Sequence, residues 1–340
     1  MPPNDPAQYY LPPVPQHWRD PAWPAVSVSL LTYNQEATIG RALDSILAQE
    51  TDFAYEIVVG DDCSSDRTPA ILREYQRRYP DRIVLNLHPR RYDNVVGRIN
   101  NVTNLLSCRG KYTAMLDGDD YYTDPRKLQS QYDFLENHPD YAMATHETQV
   151  VRVDERGNHR CDLHLSSEVE DWVVHPGRWS HAELARHRHL FVHNSSWFFR
   201  TRIFGDFPDD FHDVIAGDYY LFMLVTQRGP VHFDPTIRSV YCKTPVSITV
   251  DPVYDNVQKW RRMLLDMKLY RRKFPATRQY ANYQKYALVY HENVLNLYLA
   301  GRATAAESWR SILYVLLRHP ARPLGFVRKQ LTRLRGQAVE

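Results

Sequence analysis

Three short polar clusters in this sequence carry the residue types that bind cations, phosphates and bases. They are Thr32-Tyr33-Asn34-Gln35-Glu36, Asp61-Asp62-Cys63-Ser64-Ser65-Asp66 and Asp117-Gly118-Asp119-Asp120. The last cluster places three carboxylates within four residues, and their repulsion costs stability unless a cation lies among them. Carboxylate oxygens suit Mg²⁺ or Mn²⁺ bridging a diphosphate. The third cluster therefore predicts a divalent metal site.

Each cluster also has a plainer interpretation. The first two strings could simply cap helices, because short polar side chains accept hydrogen bonds from free backbone N–H groups. The acidic cluster could be a solvated turn. The glycine-rich patterns GxGxxG and GxxxxGKS do not occur in the sequence, so neither a dinucleotide fingerprint nor a P-loop is indicated.

The segments that must position these clusters alternate between strands and helices. Apolar runs predict the strands, and apolar residues at helical spacing predict the helices. The predicted strands are 26–32, 55–60, 82–87 and 111–116, and the predicted helices are 35–48, 68–79 and 96–108. This alternation is typical of βαβ units with right-handed crossovers. We therefore expect an α/β, doubly wound, Rossmann-like half with its ligand site at the carboxyl ends of parallel strands.

The rest of the chain has weaker patterns. The predicted elements are a helix over 125–137, a strand over 141–153, irregular structure over 154–192, short strands within 193–250 around a helix from about Asp218 to Arg228, and helices over 255–335. Nine histidines fall in 138–193, and the spacing of His187, His189 and His193 is one that a zinc ion can use. Solvated or acceptor-loop histidines are the alternative interpretation.

Composition limits the class of protein. The chain has 340 residues, of which 43% are hydrophobic and 24% charged, so it can form a full core without disulfides. No apolar run approaches the roughly 20 residues of a membrane-spanning helix. The N-terminus shows no secretory-signal pattern, and the four cysteines (Cys63, Cys108, Cys161 and Cys242) are isolated. We therefore expect a cytoplasmic location.

The net charge of +2 conceals a split between two regions. Residues 255–340 hold 17 Lys and Arg against 5 Asp and Glu, whereas residues 1–254 hold 25 against 35. Basic and apolar residues alternate over 302–335, which is typical of amphipathic helices at an anionic membrane surface. A helical cap with solvated arginines is the alternative. The acidic body predicts no nucleic-acid partner.

Three strings resemble a known family in their order and spacing. They are VSLLTYNQEATIGRALDSILAQ, EIVVGDDCSSDRT and GKYTAMLDGDDYYTDPRKL, and they resemble the inverting family 2 glycosyltransferases, particularly bacterial ones that build surface polysaccharides or glycolipids. The resemblance extends through about residue 250. It implies the GT-A fold, a Rossmann-like and mostly parallel sheet flanked by helices, here with a helical C-terminal tail. The expected divisions are an extended arm (1–25), a nucleotide-sugar-binding half (26–122), an acceptor-binding and catalytic half (123–254) and a helical basic region (255–340).

The resemblance implies a donor site for a nucleotide-diphosphate sugar, with a UDP-sugar favoured. Tyr33 is expected to stack on or flank the base, with Asn34 and Glu36 in the same pocket. Asp62 is expected to accept a hydrogen bond from the base. The diphosphate is expected to contact Lys111 or Arg98.

The resemblance also implies a metal site and a catalytic base. Asp117 and Asp119 form the metal-binding pair for Mn²⁺ or Mg²⁺, with Asp117 also near the ribose and Asp120 orienting the pair. Asp218 opens a later helix and is the expected general base. Its alternative interpretation is a helix cap, and Asp213 is the local competitor.

Two further positions bear on the site. The segment Asn194–Arg200 matches a strand that precedes the acceptor site, and Arg200 is either structural or an acceptor contact. Many relatives carry Tyr-Arg-x-His after the last core strand, whereas this chain reads Tyr241-Cys242-Lys243-Thr244. Either Lys243 supplies the positive charge at this point or the metal keeps an extra water.

The expected function is transfer of one sugar from a metal-bound nucleotide-sugar to a hydroxyl of a glycan or lipid-linked glycan. Such a reaction is a single displacement with inversion at the anomeric carbon. The alternatives are a sugar-1-phosphate nucleotidyltransferase and a carbohydrate-binding pseudoenzyme. A peripheral contact with the inner face of the membrane through 302–335 is a further expectation, and the sequence does not indicate an oligomeric state.

Overall fold

The computed structural model describes residues 23–91, 98–153, 159–168, 174–185, 191–201, 208, 211, 214, 217–243, 265–266, 269–270, 272–274, 283–301 and 303–318. The chain divides into two compact units. The first contains residues 1–213 and 217–245, and the second contains residues 214–216 and 246–340.

The first half of the first unit contains every strand and helix that the sequence predicts there. The elements are β1 (Val26–Thr32), α1 (Ile39–Leu47), β2 (Tyr55–Asp61), α2 (Thr68–Arg78), β3 (Ile83–Leu87), α3 (Arg98–Ser107) and β4 (Tyr112–Asp117). The largest shift is in α1, which begins at Ile39 rather than Gln35. Residues 35–38 form a turn instead, in which the Gln35 carbonyl accepts from the N–H groups of Thr38 and Ile39.

The second half of this unit departs more from expectation. Its elements are β5 (Tyr121–Tyr122), α4 (Lys127–Asn137), β6 (Met143–Val153), β7 (His159–His164), a 3-10 turn (Leu165–Glu168), β8 (Gly177–Trp179), α5 (His181–Leu184), a second 3-10 turn (Asn194–Ser196), β9 (Phe198–Arg200), α6 (Gly217–Thr226) and β10 (Val231–Lys243). The prediction of irregular structure over 154–192 is wrong for β7, β8 and α5. The prediction of short strands is wrong for β10, which continues through two register shifts between Asp234 and Ser239.

The described strands form one sheet in the order β3-β2-β1-β4-β9-β6-β10-β5, with β7 paired to β6 and β8 to β10. Pairing is parallel from β3 to β4 and again between β6 and β10. The antiparallel strand β9 joins these two parallel blocks. The fold is therefore the predicted α/β type, a mostly parallel sheet flanked by helices.

A continuous apolar core fixes the first parallel block. Alternate residues of β1 (Val26, Val28 and Leu30) are fully buried and pack with Ile39, Leu43 and Ile46 of α1. The opposite face of β1 carries Ser27 and Ser29, which are buried but hydrogen-bonded. Burial of this kind contributes about 1.5–3 kcal/mol per large side chain. The strand ends are thereby held in a fixed position.

Two helices of the second unit are described over their whole length, α7 (Tyr283–Leu299) and α8 (Ala305–Arg318), and residues 265–266, 269–270 and 272–273 are also helical. Helices α7 and α8 pack together through the His291 and Tyr314 rings, whose centroids lie 4.0 Å apart, and through a 2.9 Å contact between His291 Nδ1 and Ser311 Oγ. The sequence prediction of helices here is confirmed for these two segments. No described helix of the protein is both long and apolar enough to cross a membrane.

Candidate active site

The parallel pairing brings the three polar clusters to one edge of the sheet. Thr32 at the end of β1 lies beside Asp61 at the end of β2, and Leu31 lies beside Asp117 at the end of β4. Because these strands run the same way, their following loops meet at the carboxyl edge. The three polar clusters therefore lie at the edge where the sequence predicts a ligand site, and the ligand site itself stays a prediction.

Reciprocal hydrogen bonds fasten the loop after β1 to the loop after β2. The Asn34 N–H donates to Ser64 Oγ at 2.8 Å, while Asn34 Oδ1 accepts from the Ser65 N–H at 2.8 Å. Glu36 repeats the pattern, because its N–H donates to Asp66 and its carboxylate accepts from the Arg67 N–H. Asn34 and Glu36 thus use these hydrogen bonds to hold the two loops together beside the predicted base pocket.

Tyr33, Asp62 and Arg91 gather beside these loops. The Arg91 guanidinium carbon lies 3.9 Å from the centroid of the Tyr33 ring, and Arg91 Nε lies 3.4 Å from Asp62 Oδ2. Asp62 is buried, and its N–H donates to the Thr32 carbonyl. An aromatic face, a buried carboxylate and a guanidinium are groups that stack on and hydrogen-bond to a planar base.

The acidic cluster after β4 packs tightly against the end of β1. Gly118 donates its N–H to the Leu31 carbonyl, and a Cβ added to Gly118 would collide with Gln35 Oε1. A side chain at position 118 would therefore push the two neighbouring aspartates out of place. The Asp119 carboxylate accepts from the Gln35 side chain, and its charge is partly offset by Arg41.

Asp117 and Asp120 are joined by two residues from a distant segment. The second 3-10 turn presents Asn194, whose Nδ2 donates to Asp117 Oδ2 at 2.7 Å. His193 precedes this turn and lies with Nδ1 3.4 Å from Asp120 Oδ2. Ligand atoms of Asp117, Asp120 and His193 all lie within 4.8 Å of one another, close enough to share one metal ion.

Crowding and burial alter the acidity of the whole cluster. Burial, followed by the charges of Asp119 and Asp218, raises the pKa of Asp117 to about 7, although the Asn194 hydrogen bond opposes this. Burial and the charges of Asp119 and Asp117 raise the pKa of Asp120 well above its ordinary value. Burial and the charge of Lys243 lower the pKa of His193 to about 3. The cluster therefore resists full ionisation until a cation compensates its charge.

Asp218 reaches this cluster from the first turn of α6. Its side chain is exposed, and its charge acts on Asp117 although the two residues are a hundred positions apart. The Asp218 carboxylate also accepts from the N–H of Tyr219 at 2.8 Å. An accessible carboxylate beside a buried acidic cluster is placed to take a proton from a substrate that enters from solvent.

Two predicted contacts lie elsewhere. Lys111 precedes β4 and pairs with Glu136 at 2.5 Å. It is six residues, or about 20 Å of strand, from Asp117, so it lies at the opposite edge of the sheet. Arg200 donates to the Tyr141 and Leu135 carbonyls and to the Tyr112 hydroxyl, which makes it structural.

Several residues that the sequence suggests for the site lie outside the described residues. They are Asp213, His187, His189, Thr244 and the side chain of Arg98. The zinc alternative and the choice between Asp213 and Asp218 therefore stay predictions.

The sequence did not predict that Arg41 and Arg91 lie beside the polar clusters, or that the Asn194 amide contacts Asp117. Arg41 donates to the Asp119 carbonyl at 3.1 Å and lies 4.2 Å from the Tyr121 ring centroid. Its position on α1, one turn after the first polar cluster, was the available signal. Arg91 had no such signal. His193 was considered only for its spacing from other histidines, and Asn194 only as part of the segment before the acceptor site, because tertiary contacts alone bring them to the aspartates.

The sequence model of the family described as Glycosyl transferase family 2 matches residues 27–206, more than half of the chain. The chain belongs to this family.

Similar proteins agree with that assignment. An uncharacterized Mycobacterium tuberculosis protein is 33% identical over 219 residues, which are 64% of this chain and 58% of that protein. The putative glycosyltransferase EpsE of Bacillus subtilis is 36% identical over 118 residues, 35% of this chain and 41% of EpsE. The match thus spans less than two thirds of either relative.

Two solved structures share the fold. Staphylococcus aureus TarS 1–349 has a TM-score of 0.50 at 18% identity, covering 71% of this chain and 65% of TarS. The mannosyltransferase PcManGT of Pyrobaculum calidifontis, solved in complex with GDP-Man and Mn²⁺, has a TM-score of 0.53 at 18% identity, covering 89% of this chain and 83% of PcManGT.

Proposed function

We propose that this protein transfers a sugar from a nucleotide-diphosphate sugar to a hydroxyl of a glycan or lipid-linked glycan, with inversion at the anomeric carbon. The observation that carries the proposal is the gathering of Asp117, Asp119 and Asp120 at the carboxyl edge of the sheet, where the charge of Asp218 acts on Asp117. Asp218 is exposed to an incoming acceptor, whereas Asp120 is buried and Asp117 and Asp119 are half-buried beside the loops that would hold the donor.

The donor's base would lie between the loops after β1 and β2. Tyr33 offers a ring face, and Asp62 offers a carboxylate oxygen that can accept the N3–H of uracil. Arg91 now covers the Tyr33 ring, so its guanidinium would move aside or lie over the base when the nucleotide enters. A UDP-sugar is the donor that this set favours, and guanine is the second choice because it too presents N–H donors.

The acidic cluster fits a divalent cation. The carboxylate oxygens of Asp117, Asp119 and Asp120 are the hard donors that Mn²⁺ and Mg²⁺ prefer. Burial raises the pKa values of Asp117, Asp119 and Asp120, and repulsion from neighbouring carboxylates adds to the rise at Asp117 and Asp120, so a bound cation would lower this cost. When bound, the cation would neutralise charge on the diphosphate. PcManGT, which shares the fold, was solved with Mn²⁺ and GDP-Man.

Asp218 would act as the general base in a single displacement. Its carboxylate takes the proton of the acceptor hydroxyl while that oxygen forms a bond to the anomeric carbon. The bond from that carbon to the diphosphate oxygen breaks on the opposite face, and its electron pair leaves with the nucleoside diphosphate. An ordinary carboxylate is basic enough, because the hydroxyl becomes acidic as the new bond forms.

Calorimetry with UDP, GDP and dTDP, each with and without Mn²⁺, tests the donor site. We expect Mn²⁺-dependent binding of one nucleotide, with UDP favoured. Failure of all three nucleotides under both conditions would contradict the proposal.

The Asp218→Asn variant tests the base. It should keep Mn²⁺ and nucleotide binding but lose about 10²–10⁴-fold in donor turnover, the usual contribution of a general base. Turnover can be measured as release of nucleoside diphosphate from a panel of nucleotide-sugars. Asp81→Asn, an exposed carboxylate beside the amino end of β3, is the matched control and should keep full activity. Full turnover by Asp218→Asn would remove the assignment.

We also propose that α8 rests on an anionic membrane, which would place the enzyme at the cytoplasmic face beside a lipid-linked acceptor. Trp309, Leu313 and Leu317 recur every fourth residue and are 52%, 46% and 73% exposed. Residues spaced by four share one face of a helix. The opposite face is occupied, because Ser308, Ser311 and Val315 are buried.

Trp309, Leu313 and Leu317 form an apolar stripe on α8, and the charge around this stripe indicates which partner it contacts. The segment 302–335 contains eight Lys and Arg against one Glu, and Arg310 lies 5.2 Å from the Trp309 ring centroid. An apolar stripe flanked by cations matches the interface of anionic lipids. The part of this segment beyond Arg318 lies outside the described residues.

Vesicle flotation tests the membrane contact. The full chain should float with vesicles of phosphatidylcholine and phosphatidylglycerol more than with phosphatidylcholine alone. Changing Trp309, Leu313 and Leu317 together to Ser should reduce this partition at least tenfold. Leu265→Ser removes another exposed apolar side chain of the same unit and should leave the partition unchanged. Equal partition by the triple variant would contradict the proposal.

A further inference from the structure

The turn that carries His193 is held rigidly against the sheet. Ser195 Oγ lies 3.0 Å from Ser239 Oγ of β10, which in turn lies 3.1 Å from Thr148 Oγ1 of β6. The Ser196 carbonyl accepts from Gln131 Nε2 at 2.8 Å. Ser195 and Ser196 are fully buried. This network fixes where the His193 ring can lie.

The ring itself has a defined orientation. It stacks on Tyr241 with centroids 4.0 Å apart and planes inclined by 18°. The His193 Nδ1 atom accepts the Ser195 N–H at 3.3 Å and lies 2.9 Å from Ser195 Oγ. The same nitrogen faces Asp120 Oδ2 at 3.4 Å.

Asp120 has one oxygen that the protein does not satisfy. Its Oδ1 accepts from the Cys242 N–H at 2.9 Å. Its Oδ2 accepts no hydrogen bond from any described residue, although the side chain is only 1% exposed. Oδ2 therefore lies close to His193 Nδ1, and ligand atoms of Asp117, Asp120 and His193 all lie within 4.8 Å of one another. A buried carboxylate oxygen without a partner costs free energy unless a positive charge lies beside it, and coordination of that charge by Nδ1 would replace its contact with Ser195.

We propose that His193 is a nitrogen ligand of the divalent cation, which it shares with Asp117 and Asp120. This inference rests on the proposed metal-dependent transfer. The imidazole comes from the segment before β9, and its ring packs on Tyr241 near the end of β10. A single imidazole nitrogen among carboxylate oxygens is a set of ligands that suits Mn²⁺ better than Mg²⁺.

Electron spin-echo spectroscopy of Mn²⁺ bound to the full chain tests the ligand directly, without any activity measurement. Natural-abundance protein should show ¹⁴N modulation from a coordinated imidazole. Labelling the histidines with ¹⁵N should replace that signal with the ¹⁵N pattern, and this test needs no substitution that could disturb folding.

Substitution gives the second readout. His193→Gln should abolish the nitrogen coupling and weaken Mn²⁺ binding at least tenfold by calorimetry. His138→Gln, an exposed histidine at the end of α4, is the matched control and should bind Mn²⁺ like the native protein.

The outcomes separate the two proposals. Mn²⁺ binding with no nitrogen coupling would overturn the role of His193 and leave the transferase proposal standing. Absence of Mn²⁺ binding, both alone and with UDP, GDP or dTDP, would overturn both.

Discussion

The two edges of the first parallel block treat buried carboxylates in opposite ways. At the amino edge, Glu56 is 2% exposed and fully satisfied by Ser27 Oγ at 2.6 Å, the Arg109 N–H at 2.9 Å and Arg109 Nε at 2.8 Å. At the carboxyl edge, Asp120 is equally buried but leaves Oδ2 without a hydrogen bond among the described residues. Glu56 is built into the fold, whereas Asp120 stays open to a ligand. Unsatisfied buried carboxylates thus locate the site within a sheet that satisfies its others.

The largest expected effect is the pH dependence of the metal-free protein. The folded-state pKa of Asp117, about 7, lies above its ordinary value of 3.8, so folded protein binds more protons than unfolded protein between these values. The free energy of unfolding should therefore fall as pH rises from about 4 to about 7, by at most about 4 kcal/mol from this group. Asp119 and Asp120 act in the same direction.

Thermal unfolding in EDTA, followed from pH 4 to pH 8, measures this trend. Saturating Mn²⁺ should flatten or reverse it, since the ion binds the deprotonated carboxylates. Asp117→Asn should reduce the slope in EDTA. A metal-free protein whose stability rises through this pH range would count against the crowded cluster.

Breaking the Glu56–Arg109 pair at the amino edge should give the next largest loss in the free energy of unfolding. Glu56→Gln removes the charge that Arg109 pairs with and leaves the guanidinium without its partner. Because Arg109 is 41% exposed, water can solvate it, and we expect a loss of about 2 kcal/mol rather than the larger cost of a fully buried pair. Denaturant unfolding measures the loss. Nucleotide affinity should not change, and a change would show that the two edges are coupled.

The corresponding substitution at the carboxyl edge, Asp120→Asn, should instead raise the free energy of unfolding of the metal-free protein. In Asp120→Asn, the amide oxygen can keep the Cys242 N–H, while the buried charge and its unsatisfied oxygen are removed. We expect the metal-free protein to gain about 1 kcal/mol at pH 8, the low end of the cost of an unsatisfied buried polar group, and to lose Mn²⁺ affinity. The same denaturant experiment and a Mn²⁺ titration test both halves. Destabilisation without Mn²⁺ would show that Asp120 is structural, like Glu56.

The smallest effect is expected at Lys111. Its pair with Glu136 is exposed, and such pairs contribute about 0–1 kcal/mol. Lys111→Ala should therefore change stability by less than about 1 kcal/mol and leave binding of Mn²⁺ and UDP unaltered by calorimetry. A tenfold weaker nucleotide affinity would restore Lys111 as a diphosphate contact.

The sequence predicted the first half of the fold well, because its strands are apolar and fully buried and its helices have clear apolar faces. It also predicted that the three polar clusters meet, since residues directly after β1, β2 and β4 lie at one edge. The strand β10 was missed as a single element because Asp234-Pro235-Thr236 has the composition of a turn, whereas the structure accommodates it as an irregularity within the strand.

The contacts within the site were harder to predict than its place. Lys111 was misjudged although its position before a strand already put it at the wrong edge. His193 was visible only as one of nine histidines in a polar stretch, because its approach to Asp120 depends on the hydroxyl network behind the turn. Local patterns thus predict which edge binds, and tertiary packing decides which side chains complete it.

The four hydrogen bonds that cross between the loops of Asn34, Glu36, Ser64 and Asp66 have a consequence for the thermodynamics of binding. A loop that is mobile before a ligand arrives loses conformational entropy when it closes, and that loss subtracts from affinity. Here hydrogen bonds already join the two loops in the folded protein, so the loops were ordered during folding. A nucleotide entering between them would gain its contacts without immobilising backbone, and most of the residual entropic cost would fall on the Arg91 side chain.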